Sequence, residues 1–228
     1  MDSGLGCCRE VRVSVLEFDS RWFGVKVGRY DGDPQEAEEW ALANGIDCLY
    51  TLVPMEGIGT SVWWATQHGF QVTDVRIEFE AETSPHGVRL REAEGKDWKA
   101  IDHIARTSFR RTRFHNDRHL DLDRVNDMYV NWVRTSDATV LVSDGPEGPA
   151  GFVSVGATNL ELIAVDVAHR GKYHGEKLAE AALNEAYRKG LPTLKVVTQS
   201  GNHAAQRTFR SAGFRLVDTS IWLHKWYQ

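Results

Sequence analysis

A short turn between a strand-like run and a helix-like run carries residues suited to binding a charged ligand. The run 161–167 is mostly apolar, and residues 170–175 then read Arg-Gly-Lys-Tyr-His-Gly. Backbone N–H groups at such a turn point toward an anion, and the dipole of the following helix adds to their effect. The arginine and lysine add positive charge, while the glycines allow the backbone to approach the ligand closely. The pattern predicts a phosphate-binding turn.

A second segment with characteristic spacing lies at residues 194–213. An apolar run over 194–198 is typical of a strand, and Asn202 next provides a helix cap. Ala205 and Phe209 lie within the helix that this cap predicts, and Gly213 is placed to end it.

These two segments together resemble the closing signature and the pyrophosphate loop of the GNAT superfamily of acyl-CoA transferases. The resemblance implies an α/β GNAT fold, with a central mixed sheet flanked by helices and with acetyl-CoA as cofactor. It departs from the superfamily pattern at Tyr173, where a glycine is usual. The residues implied to hold the cofactor are Ile163, Ala164, Val165, Arg170, Gly171, Lys172, Tyr173, His174, Gly175, Asn202, Ala205 and Phe209.

Further short motifs resemble the TDP-fucosamine N-acetyltransferase family, which acetylates the 4-amine of a TDP-linked dideoxy sugar. They are scattered over most of the chain, at residues 19–25, 69–74, 107–114, 129–132 and 197–202. The resemblance implies direct attack of a primary amine on a thioester, with a nucleotide-linked amino sugar as acceptor. Two alternatives stay open: another small amine (amino acid, polyamine or modified nucleoside), or a non-catalytic GNAT-like module that only binds CoA.

The resemblance also implies the groups that move protons. Asp74, four positions after Phe70, stands where the family has an acidic base, although an aspartate that only ends a strand fits the sequence equally well. Glu161 is the second candidate base. The family's thiolate-protonating tyrosine is replaced by Phe209, which cannot donate a proton, and Tyr173 is a conceivable substitute.

The acceptor is expected near an arginine-rich segment of this acidic protein. Arginines and aromatic rings alternate over residues 106–118, a mixture that suits a nucleotide diphosphate. We assign acceptor binding to Arg113, Phe114, His115, Tyr129 and Trp132. Two alternatives to acceptor binding stay open. The arginine-rich segment would then be a solvated basic connector, and Tyr129 and Trp132 would belong to the core. His115 and His119 lack the further ligands of a metal site, so no metal is expected.

The overall composition restricts the partners and the cellular compartment that are expected. The formal charge is −5, so neither nucleic acid nor an anionic membrane is an expected partner. The three cysteines, Cys7, Cys8 and Cys48, do not form a disulfide framework, and no apolar run is long enough to span a membrane. These features predict a cytoplasmic protein, and a homodimer is left open.

The pattern of elements suggests two related parts. The turn-rich segment 83–87 predicts a boundary between a degenerate GNAT-like domain at 1–82 and a GNAT acetyltransferase domain at 88–228. Residues 68–77 and 212–221 share Gly, Phe, Asp and Ile at the same offsets, which suggests a repeated helix-Gly-strand unit. Strands are expected at 11–16 and 23–30, and helices at 34–43 and 122–135.

Overall fold

The computed structural model describes residues 13–55, 58–85 and 88–227 of the 228-residue chain. Cys7 and Cys8, and the start of the strand expected at 11–16, lie outside the described residues. The helices are α1 (Glu17–Phe23), α2 (Pro34–Ala43), α3 (Ile58–Gln67), α4 (Trp98–Ser108), α5 (Leu122–Thr135), α6 (His174–Arg188) and α7 (His203–Ser211). The strands are β1 (Val13–Val15), β2 (Val27–Tyr30), β3 (Cys48–Pro54), β4 (Gln71–Glu82), β5 (Arg91–Glu92), β6 (Thr139–Gly145), β7 (Gly148–Val155), β8 (Asn159–Val165), β9 (Thr193–Gln199) and β10 (Arg215–Trp226).

The described residues form two compact units, one of residues 13–73 with 220–227 and one of Asp74–Thr219. The first unit's segment ends at Thr73 and the second unit begins at Asp74, both within the range of β4. The domain boundary at 83–87 stays a prediction. Strand β10 likewise begins in the larger unit and ends in the smaller one.

The smaller unit places its strands in the order β1–β2–β3–β10. Strands β2 and β3 are parallel, and the end of β10 runs antiparallel to β3 from Ser220 to Trp226. Helix α2 begins where the sequence predicts, because the Asp33 side chain accepts the N–H of Gln35 and Pro34 fits the first turn.

The strand expected over residues 23–30 is wrong in its first half. Residues 17–23 are helical as α1, and Gly24 ends that helix in the left-handed conformation at φ 74°. The alternation of Phe23, Val25 and Val27 resembles a strand, but only the part from Val27 pairs with neighbouring strands.

The larger unit contains a mixed sheet in the order β4–β9–β8–β7–β6–β5. Strands β8 and β9 are parallel, and the other neighbours are antiparallel. One face packs on α6 and α7 through a cluster that includes Phe79, Val153, Leu178 and Phe209.

The opposite face of this sheet is also covered. Phe152 and Leu162 are buried there, since side chains alternate between the faces of a strand. Helix α4 contacts β7 and β8 and packs against α5, so these two helices cover that face. The fold class expected from the sequence, α/β with a mixed sheet between helices, is confirmed.

Candidate functional site

Strands β8 and β9 pair at one end only. Their parallel contacts join Asn159 to Lys195 and Leu160 to Val196, yet β8 continues to Val165 and β9 to Gln199. The two strands therefore separate beyond Leu160. This gap leaves backbone groups of both strands without a partner strand on that side, as an extended amide-bearing ligand requires.

The N–H groups of Ile163 and Val165 point toward this gap. The N–H of Leu162 donates to Ser154 Oγ at 3.0 Å, and the N–H of Asp166 donates to the carbonyl of Ala150 at 2.8 Å, both on β7. Because backbone groups alternate in direction along a strand, the residues between these two positions point away from β7. Ala164, the third residue expected to hold the cofactor here, pairs with Phe152 of β7 instead.

The turn after β8 opens into α6 as the sequence predicts. Gly171 has φ 73° and Tyr173 has φ 61°, and Tyr173 is the only non-glycine residue with positive φ in the described part of the chain. Tyr173 occupies the N-cap position without a side-chain hydrogen bond to the helix, and its side chain is largely exposed, at 74% for the residue. The first N–H groups of α6 thus receive no cap from this residue, which leaves them suited to a phosphate.

The charged side chains of the turn lie beside its backbone. Arg170 Nε donates to the carbonyl of Val165 at 3.2 Å, and Lys172 Nζ donates to the carbonyl of Ala168 at 3.3 Å. Both side chains are exposed and add positive charge near the start of α6. The residues present therefore fit a pyrophosphate group.

His174, the first residue of α6, is anchored to β6. Its Nδ1 lies 2.8 Å from Ser143 Oγ, and its ring meets His169 edge to face at 5.9 Å. Burial lowers the pKa of His174, and His169 and the neighbouring lysines act in the same direction.

Helix α7 approaches α6 closely at Gly175. A Cβ atom at that position would lie 3.3 Å from Thr208 Oγ1, so glycine sets the spacing of the two helices. Asn202 caps α7, because its Oδ1 accepts the N–H of Ala205 at 3.2 Å. Phe209 is 1% exposed and packs between Phe79 and Phe214, with ring centroids 6.0 and 5.7 Å away.

Asp74 lies beyond the point where β4 pairs with the end of β9. The N–H of Ser200 donates to the carbonyl of Val75, and Arg76 faces Gln199 in the register. Burial raises the pKa of Asp74 from 3.8 to about 7, although the Val75 N–H and the charge of Arg113 lower it in part. A carboxyl group with this pKa can accept and release a proton near neutral pH.

Glu161 sits on a β-bulge at the mouth of the gap. The β7–β8 register steps from Ser154–Leu162 to Val155–Leu160, so Glu161 has no partner on β7. Its Oε2 accepts the indole N–H of Trp132 at 3.1 Å. Since Trp132 belongs to α5, the Glu161 side chain points to the face of the sheet that α4 and α5 cover.

Asp74 points to the same face. Ile77, Phe79 and Ala81 of β4 pack into the cluster beneath α6 and α7, so even-numbered residues of that strand face the opposite way. The structure thus brings both candidate carboxylates to one face of the sheet, on either side of the open end of β9.

Comparison with known proteins agrees with this geometry. The acetyltransferase (GNAT) family matches residues 98–214, slightly more than half of the chain. The chain belongs to the GNAT acetyltransferase family. The resemblance stated from the sequence is confirmed at this level.

Two curated relatives of this GNAT chain act in sugar chemistry by their names. The dTDP-fucosamine acetyltransferase of Escherichia coli O6:H1 is 29% identical over 139 residues, which cover 58% of this chain and 61% of that protein. The spore coat polysaccharide biosynthesis protein SpsD of Bacillus subtilis is 24% identical over 193 residues, which cover 79% of this chain and 67% of that protein. The match to the first relative thus spans about three fifths of that protein's length.

Solved structures support the fold. A conserved protein of unknown function from Staphylococcus epidermidis has a TM-score of 0.67 at 13% identity, covering 97% of this chain and 94% of its own. A GCN5-related N-acetyltransferase from Sphaerobacter thermophilus has a TM-score of 0.60 at 15% identity, and the match covers 95% of this chain and 76% of that one.

Aromatic rings of this GNAT domain form a row on α5 and the connector before it. Tyr129 stacks on Phe109 with centroids 4.5 Å apart and lies parallel to Trp132 at 6.3 Å. His115 stacks loosely on Tyr129 at 6.2 Å, and its Nε2 lies 3.1 Å from Asn126 Oδ1. Tyr129 is 5% exposed and belongs to the core, whereas Phe109, His115 and Trp132 are half-buried.

The arginine-rich connector places one cation over a ring. The Arg113 guanidinium lies 4.0 Å from the centroid of buried Phe114. Arg113 also acts electrostatically on Asp74, which links the expected acceptor segment to the candidate base.

The histidines of this connector have other contacts. Buried Asp117 accepts from the backbone N–H of His119 at 3.0 Å, while His115 bonds with Thr112 and Asn126. Burial lowers the pKa of His115. Within the described ranges, no three His, Cys, Asp or Glu side chains are grouped as metal ligands. No helix among the same residues is long and apolar enough to cross a membrane.

Gly156 is a site residue that the sequence analysis missed. A Cβ atom there would lie 2.5 Å from Glu161 Oε1, so the absent side chain makes room for the carboxylate. A glycine just after a strand is a signal for close approach, but the sequence cannot identify the group that approaches.

Proposed function

We propose that this chain is an acetyl-CoA-dependent N-acetyltransferase whose acceptor is the primary amine of a nucleotide-linked amino sugar. The observation that carries the proposal is the separation of β8 from β9 beyond Leu160, next to a turn suited to a pyrophosphate. Family membership supports the reaction class, and the names of the two curated relatives support the acceptor class.

Acetyl-CoA, when bound, supplies the activated acetyl group. The N–H groups of Ile163 and Val165 would bind acetyl-CoA along β8, and the carbonyl oxygen of the acetyl group would accept a hydrogen bond from one of them. Arg170, Lys172 and the start of α6 would hold its phosphates, with Asn202 and α7 beside them. These assignments rest on backbone direction, on charge and on helix termini.

Asp74 is the proposed base. An amine must lose one proton before it can attack, and a carboxyl group with a pKa of about 7 accepts that proton at neutral pH. The charge of Arg113 keeps this pKa from rising further. The attack is direct, without an acyl-enzyme, because the amine itself is the nucleophile.

The departing thiolate receives no proton from Phe209, whose ring lies in the core. A thiol with a pKa of ~8.5 leaves readily as an anion, so the reaction does not require a donor there. Tyr173 remains the candidate substitute donor from the sequence.

The acceptor is proposed to bind beneath α5 and its preceding connector. Arg113 provides a guanidinium for a phosphate, and the half-buried His115 and Trp132 provide polar and aromatic surface. The buried rings of Phe114 and Tyr129 support Arg113, His115 and Trp132 from behind.

An acceptor panel tests this proposal. Free thiol release is measured with acetyl-CoA and TDP-4-amino-4,6-dideoxygalactose, an amino acid, a polyamine or a modified nucleoside. We expect turnover with the nucleotide sugar at a kcat/KM at least tenfold above the others, which is a difference of about 1.4 kcal/mol. Turnover only with another amine refutes the acceptor class and leaves the reaction class standing.

A non-catalytic CoA-binding module is the second candidate, favoured by the loss of a donor at Phe209 and by the tyrosine at position 173. Calorimetry with acetyl-CoA separates the cases. Binding without turnover on any amine supports the module, and no binding at millimolar concentration refutes both candidates.

A further inference from the structure

The Glu161 carboxylate is held in place by three features that come from different parts of the chain. The β-bulge turns its side chain to the face of the sheet beneath α5. The Trp132 indole N–H donates to Oε2 at 3.1 Å. The missing side chain of Gly156 leaves space for Oε1.

This arrangement does not serve the core of the domain. Glu161 is only half-buried, and neither Trp132 nor Gly156 carries a charge that would neutralise the carboxylate. A carboxylate fixed at the mouth of the gap between β8 and β9, on the face where the acceptor is proposed to bind, is placed to attract a cation.

We propose that Glu161 binds the ammonium form of the acceptor and so directs its nitrogen to the gap, with Trp132 and Gly156 as positioning residues. The inference rests on the proposed N-acetyltransferase function and adds the group that recognises the amine. Glu161 holds the charged amine, and Asp74 removes the proton that must leave before attack. The amine then bonds to the acetyl carbon, the carbon–sulfur bond breaks, and the second nitrogen proton neutralises the thiolate.

The principal test is Glu161→Gln, assayed with TDP-4-amino-4,6-dideoxygalactose and acetyl-CoA. Loss of a charge-assisted hydrogen bond is expected to raise the acceptor KM about 10- to 100-fold. The Kd of acetyl-CoA, measured by calorimetry, is expected to stay within about twofold. The 4-hydroxy counterpart of the same nucleotide sugar, used as an inhibitor, has no positive charge at position 4, so its inhibition constant is expected to stay unchanged.

Two further variants test the positioning role while keeping the charge. Gly156→Ala pushes the carboxylate aside and is expected to raise the acceptor KM roughly 3- to 30-fold. Trp132→Phe keeps a ring but removes the donor, and a rise of roughly 3- to 10-fold is expected. Gly95→Ala is the matched control, because a Cβ atom there meets nothing within 4 Å.

The combined variant distinguishes positioning from simple loss of fold. Trp132→Phe is expected to add little to the acceptor KM once Glu161 is Gln, since it acts through that carboxylate. An acceptor KM unchanged in Glu161→Gln, or equal weakening of the amine and its hydroxy counterpart, overturns the inference alone. A wild-type protein that acetylates no amine of the panel overturns the proposed function and this inference together.

Discussion

Asp74 links catalysis to stability, and the substitution Asp74→Asn exposes the link. Burial raises the pKa of this carboxyl group from 3.8 to about 7 in the folded protein. The folded state therefore holds the proton more tightly than the unfolded state does. The resulting stability is fully present below pH 3.8 and is lost as the pH rises through about 7.

The size of this effect follows from the two pKa values. At about 1.4 kcal/mol per pH unit, their difference sets an upper limit of roughly 4 kcal/mol over the whole range, because solvent at this partly exposed carboxyl group screens the effect. Up to about 1.4 kcal/mol of this stability, the equivalent of one pH unit, is lost between pH 6 and pH 8. Asparagine has nearly the same shape and no charge, so Asp74→Asn should become more stable relative to wild type by that amount over the same interval.

Urea denaturation of both proteins at pH 6, 7 and 8 measures the difference. Glu82→Gln is the control, because Glu82 is an exposed carboxylate of the same strand. The reasoning is refuted if the stability difference between Asp74→Asn and wild type is flat from pH 6 to pH 8. The same variant is expected to lose about 10²- to 10⁴-fold in kcat and to lose the acid limb of the pH–rate profile near pH 7.

Four other changes give separate expectations. Tyr173→Gly relieves a left-handed backbone (φ 61°) that costs about 1–2 kcal/mol, so urea unfolding should show a more stable protein, and unchanged or lower stability would contradict strain at this turn. Phe209→Tyr should raise kcat but lower the melting temperature, because the new hydroxyl enters a fully buried site; an unchanged kcat means that thiolate protonation is not limiting. Arg113→Met removes a charge that lowers the pKa of the base, so the acid limb of kcat/KM should move to higher pH. Gly151→Ala places a Cβ atom 2.7 Å from the carbonyl of Ala164 and should destabilise the fold by about 1–3 kcal/mol, as urea unfolding would show.

Local signals were sufficient where a capping residue and a strong apolar period agree. Helix α2 occupies Pro34–Ala43 and α5 occupies Leu122–Thr135, both as expected, because Asp33 and Asp121 cap them. The strand expected at 23–30 is wrong in its first half because alternation over residues 23–27 also fits the end of a short helix followed by glycine.

The candidate site likewise has parts that the sequence predicts and parts that it does not. The turn at 170–175 and the cap at Asn202 are local and were visible in the sequence. The bulge at Glu161 depends on the register of two strands, and its bond to Trp132 joins residues 29 positions apart. Such long-range register leaves no trace in a single sequence.

Strand β4 has a consequence for how this protein is made. It leaves the ribosome well before β9, although the two strands must pair with each other, from Arg76 opposite Gln199 to Glu82 opposite Thr193. The nascent chain must therefore keep β4 available while more than a hundred further residues emerge. Any fragment that starts at the turn-rich segment would lack both Asp74 and the strand that covers the edge of β9, so the edge would be exposed to aggregation.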